Sequence, residues 1–218
     1  MNDTSLPQLA APELKNLFPT PLVISRFADA TAINAELKTV IEEKAAADAR
    51  GVAKSNSGGW QSNTDFLSWA GATGAHLIEA ARNLANQLTV FQDAGGYTDA
   101  HIDWKVNAWA NINGRGNSNN VHSHPGAYWS GTYYVHIDRD NAEDTNGQFE
   151  MIDPRGVMPI MYAPHLAMKI KGCLTAGLSE FHTPQPGELI LFPSWLSHSV
   201  TAYTGEGKRI SVAFNFSL

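Results

Sequence analysis

The sequence predicts a mainly β protein, a sandwich or barrel core covered by a layer of N-terminal helices. Three observations carry this. From His101 onward, strand-like runs alternate with turn clusters such as Asn113-Gly114, Asn146-Gly147, Asp153-Pro154, Pro186-Gly187 and Thr204-Gly205. Before about Gly95 the chain is rich in Ala, Glu, Lys and Leu, with apolar residues at helical spacing. A length of 218 residues with 43% hydrophobic and 17% charged suits one domain (1–218) with a single sizeable core.

Taken in order, FPTPLVISRF reads as a strand. Ala30 to Arg50 reads as a helix, because Ile33, Leu37, Val40 and Ile41 recur at spacings of three and four before Gly51. SNSGGWQSNTDF is polar and Gly-rich, so it is expected as a loop. A second helix is expected over Gly71 to Phe91, with Leu77, Ala80, Ala81, Leu84 and Leu88 on one face, ended by Gly95 and Gly96. Residues 18–100 thus form a strand plus a helical layer. Residues 101–218 form the core, with strands expected in IDWKVNAWANI, GTYYVHI, GQFEMI, LAMKIKG, ELILFPSW, SVTAY and RISVAFNFSL.

The totals narrow function. The net charge is -6 and the pI about 5.7, with no basic patch, so nucleic acid is not an expected partner. Cys173 is the only cysteine. No intramolecular disulfide can form, and any metal site must use His and carboxylates. The N-terminus lacks a basic start followed by an apolar run, and no apolar stretch reaches bilayer length, so neither export nor a membrane is expected. The reducing cytoplasm is the expected compartment.

The segment NNVHSHPGAYWSGTYYV carries the most chemistry. On an extended strand, residues two apart share a face, so His122 and His124 project together as two ligands of one ion must. Pro125-Gly126 then interrupts the ladder and puts the pair at a strand end. His198, after the Pro193-Ser194 turn in LILFPSWLSHSV, sits at the start of a later strand and is the third candidate ligand. Two ligands from one strand end and one from another is how a barrel mouth builds a facial metal site. His76, His101, His136, His165 and His182 are expected on the surface or as satisfied polar residues.

The last strand adds a second element. Arg209 and Ser211 share a face in RISVAFNF. A guanidinium forks two donors onto a carboxylate and a hydroxyl adds a third, so the pair suits the far carboxylate of a dicarboxylic co-substrate. The competing expectation is a surface ion pair between Arg209 and Glu206. Tyr134 is expected to reach inward and Tyr133 outward. Asn111 and Asn113 share a strand face and stand as candidate co-substrate contacts. Trp60, Trp109, Trp129 and Trp195 are candidates for the mouth or for the core.

Together SNSGGWQS (Ser55–Ser62), WANIN (Trp109–Asn113), NNVHSHPGAYWSGTYYV, DPR (Asp153–Arg155), PGELILFPSWLSHSV and RISVAFNF resemble the 2-oxoglutarate and Fe(II)-dependent oxygenases, most closely a bacterial and phage branch. The motifs spread over roughly residues 18–216. The resemblance implies a double-stranded β-helix, a cupin-like jelly roll, with a helical layer. It implies Fe(II) as cofactor, 2-oxoglutarate as co-substrate, and a dioxygenase that hydroxylates an unidentified small molecule or peptide with release of succinate and CO2. It gives His122, His124 and His198 to the metal and Arg209 and Ser211 to the distal carboxylate, with Tyr134 and Asn113 beside them.

One residue departs from that pattern. His124 stands where the usual two-His, one-carboxylate triad has an acid. Three histidines are the first expectation. The second is His122 and His198 with a later acid, Asp153 or Glu150. Two rival functions stay open: a cupin-like three-histidine enzyme without 2-oxoglutarate, and a jelly roll that binds a small ligand without catalysis. A homodimer formed through helices or edge strands also stays open.

Overall fold

The computed structural model describes residues 13, 15, 17–139, 145–157, 163, 165–166 and 177–218. Among these, two antiparallel sheets form the core. The larger runs in the order β1 (Val23–Arg26), β11 (Glu188–Pro193), β8 (Trp129–Ile137), β13 (Arg209–Ser217), β6 (Lys105–Asn113) and β3 (Trp60–Gln61). The smaller runs β10 (Ser179–His182), β9 (Phe149–Ile152), β12 (His198–Val200), β7 (Ser118–His122) and β2 (Asn56–Ser57). A hairpin pairs β4 (Val90–Asp93) with β5 (Gly96–Asp99). The helices are α1 (Ala30–Ala47), α2 (Phe66–Trp69) and α3 (Gly71–Gln87). The expected mainly β architecture with a helical layer is present. Strands β1, β2 and β3, from the first hundred residues, complete its two sheets.

Alternation along β13 explains the layering. Ile210, Val212, Phe214 and Phe216 are fully buried against Leu37 and Ile41 of α1 and Leu77, Ile78 and Ala81 of α3. Each such side chain contributes roughly 1.5–3 kcal/mol, so this outer face fixes the strand. The alternate residues Arg209, Ser211, Ala213 and Asn215 then point between the sheets. There Tyr134, Ile190 and Phe192 of the larger sheet meet Phe149 and Met151 of β9 in a second apolar cluster. Tyr134 reaches inward as expected. Tyr133 packs outward and its hydroxyl donates to Asn34 Oδ1 at 2.8 Å.

Several boundaries differ from expectation, each for a local reason. The first helix stops at Ala47, short of Arg50, because Asp48 leaves helical geometry at φ -130. Its carbonyl accepts Trp60 Nε1–H at 2.7 Å instead. The second stops at Gln87, short of Phe91. Thr89 Oγ1 donates to Ala85 O at 2.7 Å and accepts Trp129 Nε1–H at 2.9 Å, and β-branched Val90 then opens the hairpin around Gly95-Gly96. The segment expected as a loop contains β2, β3 and the start of α2. Strand β10 was not expected. The strand expected in LAMKIKG lies outside the described residues apart from Leu166, as does Cys173.

Candidate metal centre

His122, His124 and His198 converge. Their imidazole centroids lie 4.9 Å (122–124), 4.4 Å (122–198) and 5.1 Å (124–198) apart. One ring nitrogen from each lies within 4.8 Å of the others. Strand register does part of this: His198, first in β12, sits directly opposite His122, last in β7. His124 arrives differently from expectation. It lies beyond the end of β7, so strand alternation does not place it. Its backbone N–H donates to Ser194 O at 2.9 Å, and this docks the loop so that the ring turns back over the pair.

Two of the rings are oriented by their own chain. His122 Nδ1 lies 2.7 Å from Asn120 O, and His198 Nδ1 lies 2.8 Å from Leu196 O. A carbonyl can only accept, so Nδ1 carries the hydrogen in both and Nε2 presents a lone pair. Phe149 and Phe192 wall His198, at 5.3 and 4.8 Å between centroids, and Trp109 packs on His124 at 5.9 Å.

The site keeps its imidazoles neutral. Burial pushes His124 down to about 3, with repulsion from His198 and His122 adding to it. Burial takes His198 to about 4, against the hydrogen bond to the Leu196 carbonyl, and burial also lowers His122. Three desolvated, uncharged imidazoles offer lone pairs and no protons, which is the state a divalent cation requires. Ligands about 2.1 Å from one ion stand roughly 3 Å apart, so side-chain rotations of about an ångström or two close the site.

Neither alternative acid joins this cluster. Glu150 faces opposite Met151 on β9, where its carboxylate accepts Ser199 Oγ–H at 2.6 Å. Asp153 accepts from Arg155 Nε and Nη2 at 2.9 and 2.7 Å and from the Gly177 amide at 2.5 Å. These donors, the Arg155 guanidinium first, hold its carboxyl down at about 2.

The second element lies on the inner face of the larger sheet. Arg209 is 3% exposed and Tyr134 is fully buried. Asn113 lies opposite Arg209 across the β13–β6 pairing, and Ser211 lies between Asn111 on β6 and Tyr134 on β8. The guanidinium stacks on the Tyr134 ring, 5.2 Å from its centroid, and Nη1 donates weakly to Asn113 Oδ1 at 3.4 Å. Among the described residues its Nε has no hydrogen-bond partner, while the Tyr134 hydroxyl meets the guanidinium. Glu206 instead pairs with Arg115, so the expected surface ion pair does not form. Burial raises the Tyr134 hydroxyl, against the pull of Arg209, so it stays neutral. A buried cation with no carboxylate paired to it among the described residues is strongly disfavoured unless an anion reaches it.

Of the four tryptophans that the sequence singled out, among six in the chain, Trp109 and exposed Trp195 border His124. Trp195, Tyr128, Pro125 and Pro193 join His124 around a cavity of about 610 Å³. Trp129 is buried in the core with one edge on that cavity, and Trp60 packs against the main core and donates Nε1–H to Asp48 O at the end of α1. His182 is a satisfied polar residue, one of the two expected outcomes: its Nε2 lies 2.8 Å from the buried Glu188 carboxylate. Sequence reasoning missed Asn215 and Ser130, which meet beside His124. Period-two counting from Arg209 through Ser211 reaches Asn215, a polar residue in an apolar strand.

Comparison with known proteins agrees with this geometry. The profile of the family described as "Putative 2OG-Fe(II) oxygenase" matches residues 107–215, half of the chain. Comparison with curated proteins gave no match. Among solved structures, a Pseudomonas putida prolyl-4-hydroxylase is similar at TM-score 0.60 and 14% identity, covering 90% of this chain and 91% of its own. A Trichoplax adhaerens prolyl hydroxylase in complex with a hypoxia inducible factor peptide fragment gives TM-score 0.62 at 13% identity, covering 90% and 83%. HygX from Streptomyces hygroscopicus, with nickel and 2-oxoglutarate bound, gives TM-score 0.58 at 13% identity, covering 91% and 83%. At these identities the likeness is one of fold, a jelly roll with a helical layer.

Proposed function

This chain belongs to the 2OG-Fe(II) oxygenase family, whose members are oxidoreductases that use Fe(II) and 2-oxoglutarate, and on that premise we propose that it hydroxylates a substrate C–H bond with release of succinate and CO2. His122, His124 and His198 hold the metal. Arg209 and Ser211, with Tyr134 and Asn113, hold the distal carboxylate of 2-oxoglutarate. Bound there, Fe(II) and 2-oxoglutarate would let O2 act as the oxidant, one oxygen atom going to succinate as CO2 leaves and the other to the substrate C–H bond, chemistry that no side chain supplies.

The observation that carries this reading is Arg209. It is buried, unpaired at Nε, and projects between the sheets from the strand that also brings Asn215 to His124. Its open fork matches a carboxylate, the Tyr134 and Ser211 hydroxyls add donors, and Asn113 steadies Nη1. Three neutral ligands leave a divalent ion its full charge, which the two carboxylates of 2-oxoglutarate offset. The prime substrate, a small molecule or a peptide, enters by the cavity beside His124. Among the described residues that cavity is lined without any Asp, Glu, Lys or Arg, which favours an uncharged group at the reacting end.

A three-histidine enzyme without 2-oxoglutarate is the second reading, favoured by His124 in the acid's position. Anaerobic calorimetry separates the two. We expect 2-oxoglutarate to bind the Fe(II)-loaded chain, and to bind it more weakly when metal is left out. Metal binding with no measurable 2-oxoglutarate binding would select the second reading.

A further inference from the structure

His122 and His198 each donate Nδ1–H to a carbonyl two residues earlier. His124 has no such carbonyl. Its Nδ1 lies 3.4 Å from Asn215 Nδ2, on β13. The other end of that amide, Oδ1, accepts from Ser130 Oγ at 2.7 Å, and Ser130 lies directly opposite Asn215 across the β13–β8 pairing. The third histidine is therefore held by a side-chain pair from two neighbouring strands, not by its own backbone.

We infer that Asn215, turned by Ser130, is the positioning residue that holds Nδ1 of His124 and so leaves its Nε2 to face the metal. In the arrangement present, the amide N–H donates to Nδ1, so a neutral His124 carries its hydrogen on Nε2. Presenting Nε2 to an ion, as His122 and His198 do, requires the hydrogen on Nδ1 and an acceptor opposite it. Asn215 supplies that acceptor when its amide turns over and offers Oδ1. Ser130 permits the turn, because a hydroxyl donates to Oδ1 in one arrangement and accepts from Nδ2 in the other. An aspartate at this position would be a permanent acceptor; the amide holds His124 in either tautomer at little cost. Such partners of metal-ligating histidines typically account for 10- to 100-fold in metal affinity.

The inference rests on the three-histidine reading, and a metal-binding series separates the two. Co(II) and Fe(II) affinities and the Co(II) visible spectrum are measured anaerobically for wild type, Asn215→Ala, Asn215→Asp and Ser130→Ala. Circular dichroism of the metal-free chains serves as the fold control. We expect Asn215→Ala to weaken metal binding about 10- to 100-fold with a changed spectrum. Asn215→Asp keeps the acceptor and stays within about threefold of wild type, and Ser130→Ala falls between. A wild-type chain that binds metal while Asn215→Ala binds it equally, with the same spectrum, overturns the inference and leaves the metal site standing. Asn215→Asp failing as badly as Asn215→Ala also overturns it. A wild-type chain that binds no metal overturns both. Should Asn215→Ala not fold, Ser130→Ala and Asn215→Asp decide in the same way.

Discussion

Replacing Arg209 by Met separates a ligand-binding cation from a structural one, because the two roles predict opposite signs. The guanidinium is 3% exposed, with one unpaired nitrogen, a weak bond to Asn113 and a hydrogen bond to the Tyr134 hydroxyl. Without 2-oxoglutarate it is a desolvated charge that no carboxylate among the described residues pairs. A side chain of similar length and no charge should leave stability unchanged or raise it by about 1–2 kcal/mol. For a chain of this size that is an upward shift of roughly 2–8 °C at most. With 2-oxoglutarate the sign reverses. Losing one partner of a buried, hydrogen-bonded charge pair costs about 2–5 kcal/mol, roughly 30- to 4,000-fold in affinity. At a hundred times its dissociation constant the co-substrate stabilises wild type by about 2.7 kcal/mol, roughly 5–10 °C, and this should fall below about 1 kcal/mol in Arg209→Met. Differential scanning fluorimetry of metal-loaded chains under nitrogen, with and without 2-oxoglutarate, reads both numbers. A variant that loses several degrees without ligand, or that keeps the full 2-oxoglutarate shift, refutes the reasoning.

Replacing His124 or His198 by Ala should each lower Fe(II) affinity at least about 100-fold, measured by competition with a chelating dye. His76→Ala, a change at an imidazole that packs on Phe27, should leave it within about twofold. The metal-free chain should lose stability as pH falls below about 6.5. In that range unfolded imidazoles take up protons while His124 and His198 in the fold hold out to about 3 and 4, so stability rises with pH across the window and levels off above it. Urea midpoints from pH 4.5 to 8 test this, and His124→Leu should flatten the slope. Gly131→Ala should destabilise by about 1–3 kcal/mol, since an added Cβ would sit 2.5 Å from the Phe214 ring and 2.6 Å from Ile190 O. A urea midpoint equal to wild type would contradict that packing.

What the sequence made legible was whatever depends on short spacings. Alternation in RISVAFNF put Arg209 and Ser211 on one face, and the same rule sent Tyr134 inward and Tyr133 outward. Helical spacing placed Leu37 and Ile41 of α1 and Leu77 of α3 under the larger sheet. Long-range choices were not legible. The chain left the first helix at Asp48 because Trp60, twelve residues later, claims its carbonyl, and no local pattern announces that bond. His124 was expected on the right side for a reason the structure does not use. The link that turns it inward joins its amide to Ser194, seventy residues away. Likewise Asn215 reads as an ordinary strand residue until pairing sets Ser130 opposite it. Local pattern found the three histidines that converge, whereas the groups that aim His124 come from Ser194 and from strand partners that only the folded register reveals.

In the proposed function one metal ion on His122, His124 and His198 takes 2-oxoglutarate as its partner. The visible spectrum of the chain mixed anaerobically with Fe(II) and 2-oxoglutarate reports on that pairing. We expect a weak charge-transfer band that needs both additions, is lost in His198→Ala, and demands far more 2-oxoglutarate in Arg209→Met. No band in a chain shown to have bound Fe(II), or a band equally strong in Arg209→Met at the same 2-oxoglutarate concentration, would contradict it.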